Sequence, residues 1–158
     1  MQRVANEDND MNDEELIKKA IEYLPHSYAP YSKYHVAAAL LCEDGTVYQG
    51  CNIENASYGA TVCAERTAFF KAVSEQKGGR IPVFKKIAIV GGLGTDESAL
   101  TDFASPCGIC RQVMREFCDT KTFEIVLYRN PEHKEVGEIV KMTLEEMLPL
   151  SFGPEVLS

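Results

Sequence analysis

Cys63-Ala64-Glu65-Arg66 and Pro106-Cys107-Gly108-Ile109-Cys110-Arg111 are the two stretches that decide how this chain folds. Each stands at the start of an expected helix: Ala64, Ala68, Phe69 and Ala72 form an apolar face after the first, and a helix over 107–117 follows the second. Strand-like runs separate them, so the chain is expected to run α-β-β-α-β-α-β-β-α, the order of an α/β layered domain. The sulfurs of Cys63, Cys107 and Cys110 can hold one zinc. Three protein ligands leave the metal an open position, which separates a catalytic zinc from a structural one.

Around those stretches the remaining elements follow from periodicity. Asn12 is an N-cap, with Asp13, Glu14 and Glu15 in the first turn of a helix over 13–24 that Pro25 ends. Residues 34–43 are too apolar for a half-exposed strand and are expected at the centre of a sheet. Asp44-Gly45 is a hairpin turn, returning through a strand over 46–51. A helix over 62–74 is stopped by Lys77-Gly78-Gly79. Further strands are expected over 85–91, 123–128 and 136–142, and Thr143-x-x-Glu146 caps a short helix that Pro149 ends. Gly91-Gly92-Leu93-Gly94 has no helical pattern close behind it, so it is a turn and not a dinucleotide fingerprint. Residues 1–11 are polar and patternless, expected as a disordered tail before a single domain over 12–158.

Composition narrows the function. A chain of 158 residues with 45% hydrophobic content suits one globular domain with a real core. Its longest apolar run, 36–42, is too short to span a bilayer, and no apolar segment follows Met1-Gln2-Arg3, so the cytoplasm is expected and no membrane partner. A net charge of -8 with no basic stripe disfavours a nucleic-acid polymer and favours a small uncharged substrate. Without a signal peptide, C-x-x-C spacing indicates metal or redox chemistry before disulfides. The other three cysteines, Cys42, Cys51 and Cys118, are expected as small buried hydrophobes.

C-x-x-C at a helix start suits zinc, thioredoxin-like redox chemistry or chance. The redox alternative leaves Cys63 and Glu65 unexplained, and a four-cysteine structural zinc lacks a matching second pair. Helix N-termini stabilise thiolates at both stretches. Three thiolates on Zn²⁺ leave a net charge of -1, which opposes deprotonation of a bound water. Arg66 and Arg111 can donate to the sulfurs and withdraw charge, and Arg66 is favoured because it adjoins a ligand and the acid. Glu65 lies two residues past Cys63, close enough to reach a metal-bound water and move its proton. The arrangement C-A-E…P-C-x-x-C is that of the zinc nucleobase deaminases, in which three cysteines can hold the metal.

Cys63-Ala64-Glu65-Arg66-Thr67-Ala68 and Ser105-Pro106-Cys107-Gly108-Ile109-Cys110-Arg111-Gln112 resemble the zinc motifs of the small homotetrameric cytidine deaminases. The likeness extends to Tyr28-Ala29-Pro30-Tyr31-Ser32-Lys33, Gly50-Cys51-Asn52-Ile53-Glu54-Asn55-Ala56, Leu148-Pro149 and Phe152-Gly153-Pro154, and omits the tail and the loop near 92–104. It implies a three-layer fold with a central mixed five-stranded sheet flanked by helices. It also implies one zinc per subunit on Cys63, Cys107 and Cys110, Glu65 as proton shuttle and Arg66 on the thiolates.

For the substrate, the resemblance implies Asn52 and Glu54 on the ribose 3′-hydroxyl, the Ala64 backbone and the 105–106 region on the pyrimidine edge, and Tyr34 stacked on the base. Ala56, Tyr58 and Phe152 would complete sites across subunit interfaces of a homotetramer. Two departures stand out. Tyr34 replaces the usual Phe and adds a hydroxyl that needs a partner, and Ala37 replaces a Gly. The expected reaction is hydrolytic deamination of cytidine or deoxycytidine at C4, in pyrimidine salvage. Rivals are an aminopyrimidine nucleoside of the blasticidin kind, a polynucleotide-editing deaminase and a structural zinc scaffold. The ribose-binding stretch, the charge and Glu65 argue against them in turn.

Overall fold

The structure is a computed structural model that describes residues 11–158. The tail expected over 1–11 therefore lies outside the described residues except for Met11, which is half-buried against the helix that follows. That helix, α1 (Asp13–Tyr23), begins on Asn12, whose side chain accepts from the Glu15 amide while the Glu15 carboxylate accepts from the Asn12 amide. This reciprocal capping satisfies two of the amides that a helix start leaves unpaired.

Two strands follow, β1 (His35–Cys42) and β2 (Val47–Cys51), joined at Asp44-Gly45, where Gly45 takes a φ of 89°. After α2 (Ala64–Ser74) come β3 (Phe84–Gly92), α3 (Gly108–Phe117), β4 (Glu124–Arg129), β5 (Glu138–Thr143) and the single-turn α4 (Leu144–Met147). The sheet has five strands in the order β2-β1-β3-β4-β5. Only β3 and β4 are parallel, so the sheet is mixed as expected.

Alternation along β1 explains its unbroken apolar run. Ala38, Leu40 and Cys42 face the layer of α2, α3 and α4, while Ala37, Ala39 and Leu41 face α1. Both faces are covered, so neither parity needs a polar residue. The same division recurs in β3, with Ile87 and Ile89 on one face and Ala88 and Val90 on the other. Helices on both sides of one sheet make the domain three-layered. Cys42 and Cys51 are buried as expected, and Cys118 is half-buried.

The glycine cluster near 91–94 differs from the expected turn. Gly91 and Gly92 are the last residues of β3, and the turn starts after them. A Cβ on Gly92 would lie 2.0 Å from the Ala99 carbonyl oxygen, so the missing side chain lets the following loop fold back on the strand end. Gly50 does the same between layers: a Cβ there would stand 2.5 Å from both the Ala64 oxygen and the Ala68 nitrogen of α2. Its neighbours are backbone and cannot turn aside. Gly50→Ala is expected to destabilise the domain by about 1–3 kcal/mol, the usual penalty of overpacking, read as a lower urea midpoint at unchanged slope.

Candidate active site

The two cysteine stretches meet at a cavity shared with Tyr34, Val36 and Asn52, at the end of the sheet where β1 begins and β3 finishes, the customary place for sites in such folds. Both helices begin one residue or more later than the sequence pattern indicates. Cys63 is the N-cap of α2 and Cys107 the N-cap of α3, each with extended backbone angles. An N-cap side chain projects beside the unpaired amides of the first turn, where negative charge is favoured. Cys110 lies in the first turn of α3 and is fully buried. Thr67 fixes the start of α2 to β2 by donating to the Cys51 carbonyl at 2.9 Å.

The three sulfurs lie within 4.8 Å of one another, and Cys63 Sγ is 3.9 Å from Cys107 Sγ. Tetrahedral zinc with Zn–S bonds of about 2.3 Å places its sulfurs about 3.8 Å apart, so the cluster fits that ion. Sharing with the Cys110 thiol draws the Cys63 thiol down to about 5 against the effect of burial, helped by Arg66 and Cys107. That same sharing, together with burial and the Glu65 carboxyl, pushes Cys110 up. A divalent cation would relieve this crowding by replacing protons with one shared positive charge.

Arg66 takes the place expected of it. Its Nη2 stands 3.6 Å from Cys63 Sγ and 3.4 Å from the Thr61 carbonyl oxygen, and its buried Nε has no hydrogen-bond partner among the described residues. A guanidinium committed to the sulfur side suits an all-thiolate metal site that carries excess negative charge. Arg111, the other arginine considered for that role, does not serve the sulfurs. It donates from Nε to the Pro106 carbonyl at 2.8 Å and from Nη1 to the Met147 carbonyl at 2.6 Å, strapping the C-terminal segment to α3.

Glu65 is buried at the wall of a cavity of about 340 Å³ that Cys63 and Cys107 also line. Burial pushes its carboxyl up to about 7, with the Cys63 charge adding to the rise and donation from Cys110 opposing it. A carboxyl near neutrality can both take and return a proton. Tyr34, Asn52, Ala64 and Ser105 line the same cavity. Burial and the nearby Asp102 charge raise the Tyr34 phenol above its usual range.

Asn52 and Glu54 already hold backbone. Asn52 Oδ1 accepts from the Val36 amide at 2.9 Å and its Nδ2 donates to the Tyr34 carbonyl at 2.8 Å, tying the end of β2 to the start of β1. Glu54 accepts from the Tyr31 and Ser32 amides and from the Ser32 hydroxyl, and it does not line the cavity. Ala56, Tyr58 and Phe152 are also outside the lining and exposed, with Tyr58 at 76%. Tyr58 meets Tyr31 edge-on at 6.1 Å between centroids. The sequence pattern did not mark Val36, Thr61, Val62, Phe103 and Ala104, which complete the wall. Phe103 and Ala104 belong to the loop that the resemblance omits.

The geometry defines an α/β domain whose three clustered cysteine sulfurs could hold a metal ion, with a buried acid beside them. The model of the cytidine and deoxycytidylate deaminase zinc-binding region matches residues 10–126, and the chain belongs to that family. It is 44% identical over 148 residues to the cytidine deaminase of Sporosarcina psychrophila, covering 94% of this chain and 96% of that one. It is 46% identical over 147 residues to the cytidine deaminase of Halalkalibacterium halodurans, covering 92% and 97%. The crystal structure of cytidine deaminase from Burkholderia pseudomallei aligns with a TM-score of 0.74 at 40% identity, over 90% of this chain and all of that one. These likenesses bear out the expected family and fold.

Metal analysis of the purified protein is expected to find zinc, and Cys110→Ala to lose it. Stripping the metal with a chelator should lower Tm, because binding free energy at such a site is also folding free energy.

Proposed function

We propose that this protein is a zinc-dependent hydrolytic deaminase that converts cytidine and deoxycytidine to uridine and deoxyuridine with release of ammonia, in pyrimidine salvage in the cytoplasm. The observation that carries the reading is Glu65, buried in a cavity wall with two of three clustered cysteine sulfurs. Its relatives named cytidine deaminase share nearly the whole length of the chain.

Cys63, Cys107 and Cys110 would hold one zinc per chain, which supplies the Lewis acidity that makes water a nucleophile near neutral pH. Glu65 takes one proton from the attacking water as its oxygen bonds to C4 and passes it to the ring nitrogen N3, where it stays. It then takes the second proton from the hydroxyl now on C4 and gives it to the amine, so that the C4–N bond breaks, the C4 carbonyl forms and ammonia leaves. Arg66 offsets the charge of the thiolates. Tyr34 presents its ring to the base. Asn52 keeps one donor hydrogen and acceptor capacity beyond its two backbone bonds, and the Glu54 carboxylate has room for a further donor. Asn52, which lines the cavity, and Glu54, which does not, would each anchor the chain and have capacity left for the ribose 3′-hydroxyl. The Ala64 backbone and Ser105 face the pyrimidine edge.

No lysine, arginine or histidine lines the cavity among the described residues, and its ionisable groups, Glu65 and Cys63 among them, are acids. A phosphate would meet no counter-charge there, which supports a nucleoside over a nucleotide. Exposed aromatics at Tyr28, Tyr31, Tyr58 and Phe152 suit burial between subunits. They support a homotetramer in which Ala56, Tyr58 and Phe152 reach neighbouring sites. Among the described residues no helix is long and apolar enough to cross a membrane.

Glu65→Gln is expected to lower turnover by about 10²–10⁴-fold while zinc content and fold remain, the range of a lost general acid–base group. Unchanged turnover would overturn the assignment. An ultraviolet assay across cytidine, deoxycytidine, cytosine and CMP should show the two nucleosides consumed, and turnover of CMP without cytidine would overturn the substrate class.

A further inference from the structure

The cavity wall contributed by Phe103 is held from behind by a residue that does not line the cavity. Arg129, the last residue of β4, pairs across the strands with Glu138 of β5, and its Nε and Nη2 each lie 2.8 Å from Glu138 Oε2. Anchored in this way, the guanidinium reaches the loop between β3 and α3. Its carbon stands 4.5 Å from the centroid of the Phe103 ring, and Nη1 is 3.6 Å from Asp102 Oδ1. The next residue adds a third hold on the same loop: the Asn130 amide donates to the Leu100 carbonyl at 2.6 Å. Asn130 is itself buried, and its side chain closes the 130–134 turn through the Lys134 carbonyl at 2.7 Å and the Lys134 amide at 3.0 Å. Two consecutive residues at the end of β4 thus grip three positions of the loop.

From this geometry we infer that Arg129 is a positioning residue for substrate binding, setting the Phe103 wall of the nucleoside cavity; the inference rests on the deaminase reading above. Phe103 lines the cavity beside Tyr34 and is half-buried against the α2–α3 side of the core. The cation covering the ring restricts where that wall can stand, at a distance where cation–π attraction is appreciable. Arg129 touches neither the cysteine sulfurs nor Glu65 and does not line the cavity. It therefore acts alike on bound substrate and transition state. A change confined to uniform binding appears in KM and not in kcat. Lysine cannot replace it fully, because a point charge cannot pair with Glu138 in a fork and cover the ring at once.

Steady-state deamination of cytidine by the full zinc-loaded protein tests this with Arg129→Met, Arg129→Lys and Glu138→Gln, and Glu132→Gln as a surface control. Arg129→Met is expected to raise KM about 3- to 10-fold with kcat and zinc content within twofold of the parent, the size that one partly exposed cation–π contact commands. Arg129→Lys should recover part of the loss, Glu138→Gln should raise KM less, and Glu132→Gln should leave it unchanged. An unaltered KM in folded, zinc-loaded Arg129→Met overturns the inference, as does a fall in kcat beyond twofold in that folded variant. If Arg129→Met fails to fold, Glu138→Gln decides by the same KM reading. A parent protein that does not deaminate cytidine would sink the deaminase reading instead.

Discussion

Three sulfurs brought within 4.8 Å of one another are a constraint that much of this structure answers to. Each sulfur at a helix N-terminus gains from the unpaired amides there, yet three of them together repel as thiolates. Arg66 opposes that repulsion from one side, and the family's zinc would oppose it from the centre. Placement then depends on the sheet. α2 must lie so close to β2 that Gly50 has no room for a Cβ, and Thr67 ties the same helix to the Cys51 carbonyl. Small residues on the contact face, Ala64, Ala68 and Ala72, make that approach possible.

The cavity inherits its character from the same packing. Glu65 stands two residues past Cys63 on a helix whose first turn is pressed against the sheet, so its carboxyl loses water and rises to about 7. No lysine, arginine or histidine lines the cavity among the described residues, which leaves shape and a few hydrogen bonds to select a substrate. Several of the residues that would select it also hold backbone in place. Asn52 joins β1 to β2, and Glu54 holds the turn at 31–32. A side chain fixed in this way is pre-organised, so less ordering remains when a ligand arrives.

Legibility in the sequence followed the range of the interaction. Helices and strands were readable because capping at Asn12, the turn at Asp44-Gly45 and the apolar run of β1 are local signals. The clustered cysteines and Glu65 were readable because two helix starts carry them at short spacing. Arg66 was readable for the same reason, whereas Arg111, equally close to a cysteine, turned out to bind the Pro106 and Met147 carbonyls. Helix rotation points one arginine toward the sulfurs and the other toward the C-terminal segment, and neighbouring sequence does not reveal which. Phe103 and Arg129 were not legible at all, since they meet only when β4 lies beside β3.

The sequence alone determined the order of elements, the three thiols, the acid and a net charge of -8 that disfavours a nucleic-acid polymer. These rest on residue identity and short-range periodicity, which survive without coordinates. Only the tertiary structure decided that the three sulfurs converge, that Cys63 and Cys107 cap their helices, and which residues complete the wall. Convergence brings together residues 44 positions apart in the chain, as Cys63 and Cys107 are. It depends on how closely α2 and α3 can dock on the sheet, and that is a property of packed volumes at Gly50 and its neighbours, not of any motif.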